Sequence, residues 1–111
     1  MEINRLLHLF GLARRAGRLA RGFDAAEAAM RDGTAAAVFL AEDISERTER
    51  NIRRVCEETG CLAHSVPAPM SAIGHAIGCK PTGILALTDR GFAESAKKIL
   101  APPLSPTPAE N

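Results

Sequence analysis

Up to Leu100, apolar residues fall either at helical spacing or in short continuous runs, and the switches between the two delimit the elements. Ile3, Leu6, Leu7, Phe10 and Ala13 fall on one face of a helix. Arg14 and Arg15 follow in its last turn, where the helix dipole favours cations. The alanine-rich stretch Asp24–Asp32 repeats the helical spacing with Ala26, Ala29 and Met30 inward. Ser45–Thr59 turns Thr48, Ile52, Val55 and Cys56 inward, and Asp43 with Glu46 reads as a capping box at its start. Pro69–Ile77 opens on a proline suited to a first helical turn and buries Met70, Ile73 and Ile77. Asp89–Leu100 presents Phe92, Ala96, Ile99 and Leu100 on one side. Gly17, Gly33, Gly60 and Gly78 each follow a helical segment, where a glycine closes the last turn in a left-handed conformation.

Between the helices lie short apolar runs at Ala36–Ala41, Leu62–Val66 and Ile84–Leu87, with a weaker one at Arg18–Arg21. Runs of that length suit buried strands. Strands alternating with helices indicate a layered α/β domain whose sheet is largely parallel or mixed. After the last helix, Pro102, Pro103, Pro106 and Pro108 crowd a tail that makes neither a helix nor a central strand. The expected organisation is one domain over residues 1–100 and a disordered proline-rich tail over residues 101–111.

Composition narrows the partners. Trp and Tyr are absent and Phe occurs only at Phe10, Phe23, Phe39 and Phe92, which argues against a platform stacking single-stranded bases on rows of aromatics. The formal net charge of +1 sets up no global basic field, but the cations are unevenly spread. Arg14, Arg15, Arg18 and Arg21 follow one another with no acid between them. Arg47, Arg50, Arg53 and Arg54 are balanced by Glu46, Glu49, Glu57 and Glu58, the pattern of a solvated helix face. Cys56, Cys61 and Cys79 show no CxxC spacing, the opening Met1–Phe10 is too charged for a signal sequence, and no apolar run reaches membrane-spanning length. Reduced thiols in a cytoplasmic protein, away from any membrane, are expected.

Catalytic readings find little purchase. His8, His64 and His75 sit on separate elements, and His64, three residues after Cys61, has no second ligand pair with zinc spacing. Cys56 and Cys61 bracket a helix C-terminus, whose negative dipole end raises a thiol pKa. Gly74–Gly78 lacks the Gly-Lys-Ser/Thr ending of a phosphate loop. Glu42 and Asp43 stand at a strand's C-terminal end, where α/β active sites assemble, yet Asp43 is equally a helix cap and Glu42 alone is no catalytic constellation. No catalytic residue, metal site or cofactor is expected.

Five segments in order carry a resemblance: Leu12-Ala-Arg-Arg-Ala-Gly-Arg-Leu-Ala-Arg-Gly22, Val38-Phe-Leu-Ala-Glu-Asp43, Val66-Pro67, Ile73-Gly-His-Ala-Ile-Gly78 and Ala86-Leu-Thr-Asp-Arg-Gly-Phe-Ala93. Together they resemble the bacterial YlxQ-like branch of the ribosomal kink-turn-binding family, and Thr88–Ala93 is what looks YlxQ-like in particular. The resemblance implies a three-layer α/β/α sandwich with a mixed four-stranded sheet and about five helices. It also implies a non-catalytic protein that grips sharply bent, structured RNA. Ribosomal RNA is then a candidate partner, as are ribosomal or transcription–translation proteins. Carried over by position, the RNA surface would comprise Arg21, Gly22, Phe23, Asp24 and Ala25, then Glu42 and Asp43, then Pro67 to Ile73 with Ala68 and Met70, while Arg18 and Lys80 would add charge.

Elementary physics points to the same segments. A helix starting after Gly22 exposes free N–H groups and a positive dipole end, a seat for phosphate, and glycine lets a ligand backbone approach. Apolar Pro67, Ala68, Pro69, Met70 and Ile73 suit a splayed-out base, although helical spacing gives Met70 and Ile73 a second reading as core. For Arg14 and Arg15, pairing with a helix C-terminus is favoured over RNA contact. Where the family commonly carries an Asn-Glu pair and then a Lys, this chain has Asp24, Ala25 and Ala28. Two rival readings use the same scaffold: a protein-interaction module, and a substrate-recognition domain of an RNA-modifying system.

Overall fold

The computed structural model describes residues 3–101. Along them run helix α1 (Ile3–Arg15), strand β1 (Leu19–Arg21), α2 (Phe23–Arg31), β2 (Ala37–Ala41), α3 (Glu46–Thr59), β3 (Ala63–Val66), α4 (Met70–Ala76), β4 (Ile84–Leu87) and α5 (Arg90–Leu100). The expected proline-rich tail lies outside the described residues apart from Ala101.

The sheet has the order β1-β4-β2-β3. β2 pairs in parallel with β3, and β4 runs antiparallel to both β1 and β2. The sheet is therefore mixed, as the alternation of strands and helices implies. β2 and β4 are buried at every position, and the side-chain period of two divides β2 between two cores. Ala37, Phe39 and Ala41 face a core completed by α1, α4 and α5, where Leu6, Phe10, Ile73, Ile77, Ala93 and Ala96 pack. Val38 and Leu40 face the other core, with Ala26 and Met30 of α2 and Ile52, Val55 and Cys56 of α3. Helices on both faces of one sheet make the α/β/α sandwich.

Three sequence expectations change in detail. α3 is capped by Ser45, whose hydroxyl accepts from the Thr48 N–H, so Asp43 is free for another helix and Thr48 is only half-buried. α4 starts at Met70 with Pro69 as its N-cap, one residue later than the spacing implies. On α5 the buried positions are Ala93 and Ala96, while Phe92, Ile99 and Leu100 are half-buried along its flank. Small side chains let α5 lie close to the sheet. Gly17, Gly33, Gly60 and Gly78 all have positive φ, as expected for the residues that end helical segments.

The Ile73–Gly78 segment owes its glycine to a close approach. A Cβ on Gly74 would lie 2.2 Å from the Lys80 carbonyl oxygen, so the returning backbone of Lys80 and Pro81 rests directly on α4. Gly91, in the first turn of α5, meets only the Asp89 carboxylate at 3.4 Å, an ordinary contact. Gly74→Ala is expected to cost about 1–3 kcal/mol through overpacking, whereas Gly91→Ala should be stabilising by roughly 0.5–1 kcal/mol through helix propensity. Thermal denaturation of the two variants checks this, and equal shifts would contradict it.

Candidate nucleic-acid interface

The strand directions gather distant segments at one edge of the sheet. β1, β2 and β3 all end there, and β4 begins there, because β4 alone runs the opposite way. Backbone bonds lock the edge: Gly22 N–H to the Ile84 carbonyl at 2.8 Å, Ala41 N–H to the Gly83 carbonyl at 2.8 Å, and Glu42 N–H to the Ala68 carbonyl at 3.0 Å. Arg21–Ala25, Glu42–Asp43, Pro67–Met70 and Thr82–Gly83 thus come together.

Gly22 is the N-cap of α2 with φ 91° and ψ 167°, a region essentially restricted to glycine. A Cβ there would meet nothing within 4 Å, so the glycine answers a backbone requirement, and the space above it is open. No side chain caps the start of α2. The other helices that start after a described loop are capped: α3 by Ser45, α5 by Asp89, and α4 by Asp43, whose Oδ1 accepts from the Met70 N–H at 2.8 Å. The first-turn N–H groups of α2 therefore have no side-chain acceptor at the positive dipole end, with the exposed Asp24 as the one acid of that turn.

Arg21 stands beside this opening with its side chain exposed and its Nε donating to the Thr82 hydroxyl at 2.9 Å. Thr82 is buried and donates in turn to the Lys80 carbonyl at 2.8 Å. The two bonds hold Arg21 near the loop carrying the exposed Lys80. Thr82 was not among the sequence-derived candidates; no motif marks it, since its role depends on a partner far along the chain.

The remaining candidates divide. Asp24, Ala25, Glu42 and Pro67 are exposed, and Phe23 and Met70 are half-buried. Met70 and Ile44 cover Gly83, where a Cβ would come within 3.0 Å of the Met70 sulfur and 2.6 Å of Ile44 Cγ2. Ala68 and Ile73, expected to help receive a base, are instead 3% and 1% exposed and belong to the core. Of the apolar loop, the accessible surface is Pro67 with part of Pro69 and Met70. Arg18 precedes β1 and therefore sits at the far end of that strand from Arg21, roughly 10 Å away at ~3.3 Å per residue. It does not join this edge.

Elsewhere the ionisable groups look structural. His64 stacks on Phe39 with ring centroids 5.3 Å apart, and burial, with Lys97 nearby, holds its pKa below the ordinary histidine value. Burial pushes the Cys56 thiol up, as expected for a packed residue rather than a nucleophile. Among the described residues no three His, Cys, Asp or Glu side chains gather as metal ligands would. No described helix is long and apolar enough to cross a membrane.

Residues 4–97 match the Ribosomal protein L7Ae/L30e/S12e/Gadd45 family. The chain belongs to that family. It is similar to the RNA-binding protein YlxQ of Enterococcus faecium, at 32% identity over 96 residues, 85% of this chain and 89% of that one. It is also similar to the RNA-binding protein YlxQ of Bacillus subtilis (strain 168), at 30% identity over 92 residues, covering 83% and 91% of the two chains. These relatives agree with the YlxQ-like branch that the ordered segments resemble. Among solved structures, a Bacillus halodurans protein described as of unknown function superposes with a TM-score of 0.78 at 25% identity, covering 86% of this chain and 95% of that one. The Giardia lamblia 15.5kD RNA binding protein superposes at 0.72 with 22% identity, covering 90% and 89%, a likeness of fold.

Within this L7Ae-type domain, Gly22 should be the least replaceable residue of the edge. Gly22→Ala is expected to lower stability by about 1–3 kcal/mol, the cost of holding a side-chain-bearing residue in that conformation. A urea midpoint unchanged from the parent protein would show that the backbone there is free to relax.

Proposed function

We propose that this chain is a non-catalytic RNA-binding protein that grips a sharply bent, kink-turn-type segment of structured RNA, with RNA of the translation apparatus as its class of target. The observation that carries this reading is the uncapped start of α2 behind Gly22, flanked by Arg21, at the sheet edge where the other exposed loops converge. Family membership and the YlxQ relatives' printed description as RNA-binding support it.

Each part of the edge has a chemical task in this reading. The α2 N–H groups and Arg21 seat a backbone phosphate with charge-assisted hydrogen bonds. Pro67, Pro69 and Met70 offer apolar surface to a base turned out of the bend, the usual way proteins read bent RNA. Glu42, exposed and acceptor-only when ionised, suits a base amino group. Asp43 stays with α4, holding the loop that carries the apolar surface.

A kink-turn RNA should bind more tightly than a straight duplex of matched length, with a shallow slope of log affinity against log salt, roughly −2 to −4 for about three or four phosphates. Arg21→Glu should weaken binding at least about tenfold, or ~1.4 kcal/mol, while Arg50→Glu on the charge-balanced α3 should change little. Equal affinities for the two RNAs, or equal effects of the two substitutions, would favour the protein-interaction module instead.

A gain-of-function test uses the departures at α2. Ala25 and Ala28 are both exposed there. Ala25→Glu with Ala28→Lys would supply polar readers worth about 1–3 kcal/mol when well placed, on a helix that both residues favour. The double variant should tighten kink-turn binding by about tenfold, or ~1.4 kcal/mol, with a smaller gain for the duplex. Affinities unchanged for both RNAs would mean that this face does not meet RNA.

A further inference from the structure

Charge is segregated in this chain although its net value is near zero. Residues 3–23 and 59–88 hold Arg5, Arg14, Arg15, Arg18, Arg21 and Lys80 with no Asp or Glu, so the rest of the chain carries 13 acids against the remaining eight of its 14 Lys and Arg. Those two stretches include α1 and α4, which lie side by side. A Cβ on Gly11 would come within 2.7 Å of the Ala76 carbonyl oxygen, so the helices cross almost backbone to backbone. Where they diverge they leave a cleft of about 560 Å³ lined by residues that include His8, Arg14, Arg15 and His75.

The cleft gathers cationic and hydrogen-bonding side chains at the C-terminal ends of the two helices. Arg14 Nη1 donates to the Ile77 carbonyl at 2.8 Å, which satisfies the negative end of α4 and fixes the guanidinium with further donors still available. Arg15, His75 and His8 are exposed. The four ion pairs among the described residues involve Arg31, Arg53 and Lys97, all outside the cleft. From its mouth the segment Gly78–Thr82, which carries Lys80 and no acid, leads to the Thr82 hydroxyl that holds Arg21, and so connects the cleft to the candidate interface.

We propose that the α1/α4 cleft is a second RNA contact, holding the phosphate backbone of a helical stem that continues from the bent segment at the α2 edge. The proposal rests on the RNA reading above and extends it to a second surface. Its chemistry is that of backbone contact: cations and a histidine pair, no aromatic platform, and therefore no sequence preference.

The test uses the full chain with two RNAs, a minimal kink-turn and the same RNA with one stem lengthened by about ten base pairs. Each further phosphate neutralised should steepen the log affinity against log salt plot by about 0.9, so the longer RNA should show a slope steeper by about one to two. Arg15→Glu with His75→Gln should remove that extra slope and weaken binding of the longer RNA about tenfold at ~0.1 M salt, leaving the minimal RNA unaffected. Arg15→Lys should retain most of the gain, and Arg50→Glu should alter neither RNA, which separates the effect from net charge and from misfolding. A kink-turn preference that survives with no gain from the longer stem overturns this proposal alone. Loss of affinity for both RNAs in equal measure also overturns it, as does an acidic protein partner whose binding the double variant abolishes while RNA binding stands. No preference for the kink-turn over a duplex would instead defeat the reading on which it rests.

Discussion

β2 and β4 are buried on both faces, so their backbone donors and acceptors have only neighbouring strands to satisfy them. β4 meets this requirement by running antiparallel between β1 and β2, with Leu85 level with both Arg21 and Phe39. The geometry of the candidate edge follows from that pairing. It puts the ends of β1, β2 and β3 at the edge where β4 starts, and it brings Thr82 under Arg21. A parallel β4 would deliver its leading loop to the opposite edge and leave Arg21 without its anchor.

Helix starts at that edge show how the fold separates structural from available donors. Asp43 leaves β2 and reaches across to the first N–H of α4, while Ser45 closes α3 with its own hydroxyl. α2 has only glycine at its cap, and glycine offers no acceptor. The same residue is demanded by the backbone, since φ 91° with ψ 167° excludes the usual capping side chains. One conformational constraint thus both turns the chain from β1 into α2 and leaves that helix's donors open.

Charge follows a comparable division. The acids concentrate around α2 and α3, where Arg31 pairs with Glu27 and Glu58 and Arg53 pairs with Glu49. Such exposed pairs contribute little stability, but they neutralise that face. The α1/α4 face has no carboxylate to do the same. A molecule of net charge +1 can therefore present a polarised surface, which net charge alone conceals.

Much of the fold was legible in the sequence because it depends on local periods. The apolar spacing in α1, α2 and α3, the runs at β2 and β4, and the glycines at helix ends each reflect constraints acting within a few residues. The ordered segments through Thr88–Ala93 pointed to the family for the same reason, since they mark turns and strand ends. Which side of an element faces the core was less accessible. Ala68 read as part of an exposed loop and Ile73 read both ways, and only the packing of this segment into the core shared with α1 and β2 put both inside. Partners distant along the chain were not accessible at all. Asp43 looked like the cap of the next helix because the alternative, Met70, is 27 residues away. Arg18 and Arg21 looked like one cluster until the length of β1 separated them, and Thr82 gained meaning only when β4 brought it beneath Arg21. Sequence determined the elements, since their causes are local. Tertiary structure decided which of their ends meet, since that depends on strand direction and on long-range hydrogen bonds that no local spacing encodes.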